Sequence, residues 1–167
     1  MNSHLKPNSA NNIRVILVDD DSDESYLFNE ALEHSGLAIT LINAHNGNQL
    51  YQYLENNPQP ELIFLDINMP YKDGLESLKE IRSNPAYQHL RIVIYSTTRV
   101  PANVNACYEA GADLFIIKPE DFDGMVRVVS HVCTTDWANF QRPLVTEGFV
   151  VTSDYNSPSN FFCWRPV

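Results

Sequence analysis

The sequence is poor in cysteine, and its few cysteines form no ligand or disulfide pattern. Cys107, Cys133 and Cys163 are odd in number and widely spaced, with neither a CxxC pair nor a Cys/His metal spacing. The five histidines are equally scattered. We therefore predict reduced thiols, as in cytosolic proteins, and no metal site built from cysteine or histidine.

Positive charge and long apolar runs are also scarce. The 167 residues include 11 Lys and Arg against 21 Asp and Glu, which gives a formal charge of −10. Such a surface repels the phosphate backbone, and no run of basic residues offers an exception, so we expect no nucleic-acid partner. No apolar run approaches the roughly 18 residues of a membrane helix, and the N-terminus lacks the apolar segment of a signal peptide. We expect no membrane association and a cytoplasmic location.

The length and composition favour one globular domain with extensions. Hydrophobic residues make up 44% of the chain and aromatic residues 11%, as in a protein with a packed core. Residues 1–12 are polar and show no period, which predicts a flexible N-terminal extension. We assign residues 13–137 to the domain and residues 138–167 to an aromatic-rich C-terminal tail.

Apolar stretches typical of buried strands alternate along the domain with segments of helical periodicity. The strand-like stretches span 13–18, 37–42, 61–65, 91–95 and 113–117. Their nearly continuous apolar character is typical of strands that are buried on both faces of a parallel sheet. Helical segments follow them, beginning at Asp21 or Ser22, Gln49, Leu75, near Pro101 and at Asp121, the last reaching about Trp137. This alternation predicts an α/β fold with helices on both faces of the sheet.

Polar residues capable of chemistry follow four of the five predicted strands. They are Asp19 and Asp20 after the first strand, Asp66 and Asn68 after the third, Ser96 and Thr97 after the fourth, and Lys118 after the fifth. In parallel α/β sheets, ligands bind beyond the carboxyl ends of the strands. We therefore expect these side chains to share one edge of the sheet.

The residue types in this group suit phosphoryl transfer. Neighbouring carboxylates repel each other unless a cation intervenes, and Mg²⁺ prefers such hard oxygen ligands. Asp66 could act as a carboxylate nucleophile towards phosphorus, with Lys118 and the Ser96 hydroxyl available to the phosphoryl oxygens. Each residue also has a structural interpretation: helix capping for residues 19–21, and an ordinary loop, turn or strand end for the others. A coincidence at four strand ends is improbable, so we favour the functional interpretation.

The same residues lie in motifs that resemble the receiver domain of two-component response regulators. The resemblance covers about residues 12–137 and rests on the segments VILVDDD (15–21), LDINMP (65–70) with Asp73-Gly74, IYST (94–97) and AGADLFIIKP (110–119). The order and the gaps between these segments make the match specific. Residues 107–111 and the helix from Leu75 to Arg82 also resemble the small single-domain receivers that partner phytochrome-like kinases.

The resemblance implies a metal-assisted phosphorylation site. Asp66 matches the phosphorylated aspartate and would also contact the metal. Asp20 matches a direct Mg²⁺ ligand, Asp19 an acid that reaches the metal through water, and Asn68 the residue whose backbone carbonyl completes the metal site. The implied fold is flavodoxin-like, with a five-stranded parallel sheet in the order 2-1-3-4-5.

The resemblance also implies a conformational switch. Ser96 matches the switch hydroxyl, Phe115 the rotating aromatic residue and Lys118 the phosphate-binding lysine. Two positions depart from the family pattern. Thr97 stands where the family often has a small residue such as alanine, which would narrow access for the phosphoryl group. Phe115 lacks the hydroxyl of the more frequent tyrosine, and it could also be simply a core aromatic residue.

The implied function is that of a phosphoacceptor that assists its own phosphorylation and dephosphorylation, rather than an enzyme. A sensor histidine kinase or a phosphotransfer protein would supply the phosphoryl group. Phosphorylation would then reshape a protein-binding surface around the fourth helix and fifth strand for an unknown downstream protein. Two alternatives stay open: a phosphorylation-independent scaffold, and a Mg²⁺-dependent phosphatase that works through an aspartyl-phosphate. Asn68 disfavours the phosphatase, because such enzymes often have a second acid at that position.

The C-terminal tail is too short for an effector domain but is rich in aromatic residues. These are Phe149, Tyr155, Phe161, Phe162 and Trp164, and residues 146–152 could form a strand. The tail is either a loosely ordered extension or an arm that packs on its own domain or on a second copy in a homodimer. We favour an arm, because leaving so much aromatic surface exposed is unfavourable.

Overall fold

Strands and helices alternate through the part of the chain that the structure, a computed structural model, describes: residues 12–70, 73–144 and 146–153. The strands are β1 Ile13–Val18, β2 Ile39–Ala44, β3 Leu62–Leu65, β4 Ile92–Ser96, β5 Leu114–Ile117 and β6 Val150–Val151. The helices are α1 Ser22–Ser35, α2 Gly47–Asn56, α3 Gly74–Ser83, α4 Pro101–Glu109 and α5 Phe122–Thr134, and a 3₁₀ turn covers Thr146–Gly148. The predicted N-terminal extension lies outside the described residues, apart from Asn12.

The sheet is parallel and has the order β2-β1-β3-β4-β5-β6. The predicted α/β class and the order 2-1-3-4-5 are confirmed for the first five strands. The prediction of a five-stranded sheet is short by one strand, because Val150 and Val151 pair with Phe115 and Ile116 along the outer edge of β5. A two-residue strand has no period of its own, so only its partner strand defines it.

The two faces of the sheet carry separate apolar layers. Ile94 and Phe115 lie in the layer with residues of α2, α3 and α4, whereas Val93 and Tyr95 lie in the layer with residues of α1 and α5. Strands β3, β4 and β5 are buried along their whole length. Burial on both faces explains why these strands are continuously apolar in sequence rather than alternating.

The ends of two helices resolve details that the sequence left open. The Asp21 side chain accepts hydrogen bonds from the backbone N–H groups of Asp23 and Glu24, so Asp21 is the N-cap of α1. Helix α5 ends at Thr134, earlier than the predicted end near Trp137. The chain turns there because Thr135 is extended, and the Trp137 indole N–H donates back to the Val132 carbonyl at 3.0 Å.

A buried ionic cluster ties the amino ends of β4 and β5 together. The Asp113 carboxylate accepts hydrogen bonds from Arg82 at 3.0 Å, from Arg91 at 3.1 Å and from the backbone N–H of Ile92 at 2.8 Å. The two guanidinium groups also donate to backbone carbonyls, among them those of Leu90 and Trp137. We call Arg82, Arg91 and Asp113 the amino-end cluster.

The chain beyond α5 returns along the outer edge of the sheet. Arg142 donates to the carbonyls of Ala112, at 2.7 Å, and of Tyr108, and its guanidinium carbon lies 4.0 Å from the centre of the Tyr108 ring. The Tyr108 hydroxyl donates to the Pro143 carbonyl at 2.9 Å. We call residues 142–151, of which Val145 is not described, the arm. The arm packs on its own domain, whereas Tyr155, Phe161, Phe162 and Trp164 lie outside the described residues.

None of the helices in the described ranges has the length and apolar character needed to cross a membrane.

Candidate functional site

Three of the predicted site residues meet at the carboxyl ends of the strands. The Lys118 ammonium donates to Asp19 Oδ2 at 2.7 Å and to Asp66 Oδ2 at 3.1 Å. All three residues are at least nine-tenths buried, with exposed fractions of 1% for Asp19, 6% for Asp66 and 9% for Lys118. We call these three residues the carboxyl-end cluster.

The strand ladder fixes the backbone of each member of this cluster. The Asp66 N–H donates to the Val18 carbonyl at 2.9 Å, and the Lys118 N–H donates to the Ser96 carbonyl at the same distance. The Asp19 N–H donates to the Ala44 carbonyl. The site residues are therefore direct continuations of rigid, buried strands, as their positions in the sequence predicted.

The carboxyl-end cluster carries more negative than positive charge. Burial by itself would lower the pKa of Lys118, but the carboxylates of Asp66 and Asp19 outweigh it, so its pKa is raised and the ammonium stays charged. A third carboxylate, that of Glu24 in the first turn of α1, lies 3.7 Å from the ammonium. One cation thus faces three acids, which leaves a net attraction for a further cation.

Asn68 connects the acid of β3 to the hydroxyl of β4. Its backbone N–H donates to Asp66 Oδ1 at 2.9 Å, and its side-chain amide donates to Ser96 Oγ at 2.9 Å. The Thr98 N–H also donates to the Ser96 hydroxyl oxygen at 3.3 Å. The Asn68 side-chain amide also lies 3.5 Å from the Thr97 hydroxyl. The sequence suggested only a backbone role for Asn68, so its side-chain contact with Ser96 is an addition.

The remaining two predicted residues lie further from the lysine. Asp20 is exposed, next to the buried Asp19. Phe115 is 0% exposed in the middle of β5 and pairs with Ile94 of β4. Because side chains alternate along a strand, Ser96 lies on the same face of the sheet as Ile94 and therefore as Phe115.

Gly74 is required by the close approach of α3 to the backbone of Asp66. A Cβ atom on residue 74 would lie 2.0 Å from the backbone oxygen of Asp66, closer than any side chain can come. Asp73 caps the helix through a hydrogen bond from the Glu76 N–H at 2.7 Å. The Asp-Gly dipeptide was recognisable in the sequence, but this steric reason was not.

Glu24 and Tyr95 also surround the lysine, and the sequence analysis did not identify either of them. The Lys118 ammonium lies 5.3 Å from the centre of the Tyr95 ring, within the range of a cation–π contact. The Tyr95 hydroxyl is buried and finds no hydrogen-bond partner among the described residues. Burial, together with Glu24, Asp19 and Asp66, raises the pKa of Tyr95, so the phenol stays neutral. Helical periodicity marks Glu24 only as an acid of a first turn, which is why its role was missed.

The donor atoms at this edge fit a hard divalent cation. Asp19, Asp20 and Asp66 supply carboxylate oxygens, and the Asn68 carbonyl supplies a further oxygen, a set that Mg²⁺ accepts. Within the described ranges, no three His, Cys, Asp or Glu side chains are already grouped as a metal site. The contacts of Lys118 explain this, because its ammonium lies between two of the acids. A cation at this edge would share these carboxylates with the lysine.

The fold and this site together define a receiver domain. The family model for the response regulator receiver domain matches residues 15–130, most of the chain. The chain therefore belongs to the response regulator receiver family, as its sequence motifs predicted.

Individual relatives support the same class. The response regulator Rcp1 of Synechocystis is 32% identical over 124 residues, a match that spans 71% of this chain and 84% of Rcp1. The crystal structure of Mn²⁺-bound Rcp1 superposes with a TM-score of 0.68 at 29% identity, over 78% of this chain and 99% of Rcp1. That of the phosphorylated cyanobacterial phytochrome response regulator RcpA gives 0.71 at 26% identity, over 79% and 99% of the two chains. The likeness to receiver domains of phytochrome response regulators is thereby confirmed.

Proposed function

We propose that this chain is a phosphoacceptor in a two-component phosphorelay and that Asp66 takes the phosphoryl group from a phosphohistidine. The observation that carries the proposal is the bridging of the Asp19 and Asp66 carboxylates by the Lys118 ammonium, at 2.7 and 3.1 Å. The donor would be a sensor histidine kinase or a phosphotransfer protein. Membership of the receiver family supports this donor class.

The reaction is a displacement at phosphorus. An Asp66 carboxylate oxygen forms a new O–P bond while the N–P bond of the phosphohistidine breaks, and the imidazole keeps the electron pair and takes up a proton. The Asn68 N–H, 2.9 Å from Asp66 Oδ1, orients the carboxylate. Lys118 then turns from Asp66 to a phosphoryl oxygen, which it stabilises as a point charge.

Magnesium would complete the charge balance at this site. Asp19, Asp20, Asp66 and the Asn68 carbonyl would hold it, and it supplies positive charge that stabilises the transferring phosphoryl group. The chain's own residues provide the anionic pocket, the nucleophile and the lysine. In this proposal the chain assists its own phosphorylation and dephosphorylation and is not an enzyme for external substrates.

The switch follows from the contact between Asn68 and Ser96. Once Asp66 is phosphorylated, Ser96 exchanges its bond with the Asn68 amide, now 2.9 Å, for a bond to a phosphoryl oxygen. Phe115 shares the face of the sheet with Ser96 and moves towards it. The changed surface around α4 and β5 then binds a downstream protein. We place this switch in the cytoplasm, where the reduced thiols expected from the sequence persist.

Labelling with a small phosphoryl donor tests the proposal directly. The full chain is incubated with acetyl phosphate and Mg²⁺, and the intact mass is measured. We expect one added phosphoryl group on the wild type and none on Asp66→Asn. Asp23→Asn is the matched control, because it removes one exposed acid of the first turn of α1 and leaves the cluster intact. Equal labelling of Asp66→Asn would overturn the proposal.

The same assay separates the two alternatives. A phosphatase would release phosphate from simple monoesters over many turnovers, whereas a phosphoacceptor takes up one equivalent. A phosphorylation-independent scaffold would take up no label and would show no heat of Mg²⁺ binding in a calorimetric titration.

A further inference from the structure

The arm pairs along the outer edge of β5, and its most buried aromatic residue is Phe149. Phe149 is 0% exposed. Its ring centre lies 6.1 Å from that of Phe115 and 5.2 Å from that of Tyr108 on α4. A fully buried aromatic residue contributes more to packing than any other side chain of the arm, so its contacts decide whether the arm stays docked.

Main-chain pairing joins the arm to the same residue. The Phe115 N–H donates to the Phe149 carbonyl at 2.9 Å, and Val150 is in register with Phe115. Phe115 therefore contacts the arm through its ring and through its backbone at once. Displacement of Phe115 would disturb both contacts together.

Arg142 forms the second attachment of the arm. Its guanidinium donates to the carbonyls of Ala112 and Tyr108 and stacks on the Tyr108 ring. These contacts lie on the surface and are partly exposed. They hold the start of the arm against the last turn of α4 and against Ala112, two residues before β5 begins.

Phe115 also belongs to the proposed switch, on the same face of the sheet as Ser96. If its ring moves towards Ser96, a gap opens beside Phe149. Protein interiors are closely packed, and a gap next to a buried ring destabilises the packing around it. Phosphorylation at Asp66 would in this way weaken the docking of a segment that does not contact the phosphorylation site.

We propose that the arm is an intramolecular latch on the α4–β5 surface, docked while Asp66 is unphosphorylated and loosened by phosphorylation through Phe115 and Phe149. The inference rests on the proposed function. It gives the arm the role of an output element. Release of the arm uncovers the edge of β5 and the ring of Tyr108. Together they form a surface that the arm covers in the unphosphorylated chain.

Hydrogen exchange in the full chain tests the latch. Exchange is followed by mass spectrometry in peptides that cover 114–117 and 146–153, with and without acetyl phosphate and Mg²⁺, while intact mass reports phosphorylation in the same samples. We expect exchange in both regions to accelerate about fivefold or more on phosphorylation, the lower range of ordinary coupling between sites. Helix α2, which packs beside β2 at the opposite edge of the sheet, serves as an internal reference whose exchange stays constant.

Coupling between two sites is reciprocal, so loosening the arm must favour phosphorylation. Phe149→Leu keeps an apolar side chain but removes the ring contact with Phe115, and Arg142→Gln removes the surface attachment without a core cavity. Because the reciprocity holds for equilibria and not for rates, we expect both variants to bind beryllofluoride with Mg²⁺, a reversible mimic of the phosphoryl group at Asp66, about fivefold more tightly than the wild type. Phe140→Leu is the matched control, because Phe140 packs on Trp137 at 4.7 Å and not on Phe115.

The outcomes distinguish the latch from the proposed function. Label together with faster exchange at 114–117 and 146–153 supports the latch. Label with unchanged exchange, or no tighter binding of the mimic by Arg142→Gln and Phe149→Leu, overturns the latch and leaves the phosphoacceptor role standing. Absence of label in the wild type overturns the proposed function and the latch with it.

Discussion

The two ends of the sheet each hold a buried ionic cluster, but the clusters are opposite in sign. The carboxyl-end cluster places one lysine between two acids, with a third acid at 3.7 Å. The amino-end cluster places one aspartate between two arginines. Both are mostly buried, so burial of charge does not by itself distinguish a functional site from a structural one.

The two clusters differ in which groups meet their excess charge. The excess arginine charge at the amino end is met by backbone carbonyls of Leu90, Gly111 and Trp137, so that cluster is saturated within the protein. At the carboxyl end, the backbone N–H groups of Asp21 and Asn68 donate to Asp19 and Asp66. Glu24 Oε2, however, has no hydrogen-bond partner among the described residues, and Asp20 is exposed. We expect the saturated cluster to support the fold, and we propose that the unsaturated one binds a cation and a phosphoryl group.

The largest effect on stability is expected at the saturated cluster. Asp113→Ala leaves two partly buried guanidinium groups without their shared acid and removes the acceptor of the Ile92 N–H. We expect a loss of about 3–5 kcal/mol in the free energy of unfolding, measured by urea denaturation. Glu55→Ala, at an exposed position of α2, is the control and should have little effect. A loss below about 1 kcal/mol in Asp113→Ala would show that the cluster is not structural.

The sequence predicted the carboxyl-end cluster well because its residues are marked locally. Each of Asp19, Asp66 and Lys118 follows directly after a continuous apolar run, and the parallel topology brings the ends of such runs together. The first five strands were predictable for the same reason, whereas their order was implied by the resemblance to the receiver family. Glu24 and Tyr95 were not, because nothing in a helix turn or a strand indicates which distant side chain it will face.

The arm was predictable only as a possibility. Its aromatic content showed that it should pack, but strand β6 has only two residues, and its pairing with β5 depends on contacts across the whole domain. Phe149 lies between the 3₁₀ turn and β6. In the sequence alone it looks like any other aromatic residue of the tail. Only the three-dimensional arrangement joins it to Phe115.

Magnesium should stabilise the chain through the carboxyl-end cluster and leave the amino-end cluster unaffected. A ligand that binds only the folded state at one hundred times its Kd stabilises that state by about 2.7 kcal/mol. We expect a gain of that order in thermal denaturation with MgCl₂ in excess, and its loss in Asp20→Asn. Asp23→Asn should keep the full gain. An equal gain in Asp20→Asn would place the cation elsewhere.

A smaller effect is expected when the unsaturated cluster loses an acid in the absence of Mg²⁺. Asp66→Asn removes one of the acids that repel each other around Lys118, and the lysine keeps Asp19 at 2.7 Å. The new amide can still accept the Asn68 N–H. We expect the free energy of unfolding to stay within about 1 kcal/mol of the wild type, in contrast to Asp113→Ala. A loss of the size expected for Asp113→Ala would mean that both clusters are structural.

The smallest effect is expected at two buried thiols, one on each face of the sheet. Cys107 lies in the same apolar layer as Ile67, whereas Cys133 lies in the layer on the other face and lines a cavity of about 420 Å³ with Arg91 and Trp137. Burial raises the pKa of each thiol to about 12. Because folding favours the protonated thiol, this contribution to stability is complete below about pH 9 and is lost as the pH rises towards 12.

Alkylation with iodoacetamide at pH 8 should therefore treat both thiols alike. The thiolate is the reactive form, and a shift from about 8.5 to about 12 lowers its population about a thousandfold or more, so both should react far more slowly than in urea. Peptide mapping distinguishes the two sites. Phosphorylation should accelerate the alkylation of Cys107 more than that of Cys133. Only Cys107 shares the apolar layer of Phe115 and Phe149. Equal acceleration at both would indicate general loosening of the domain rather than a change confined to the face of the sheet that carries the switch.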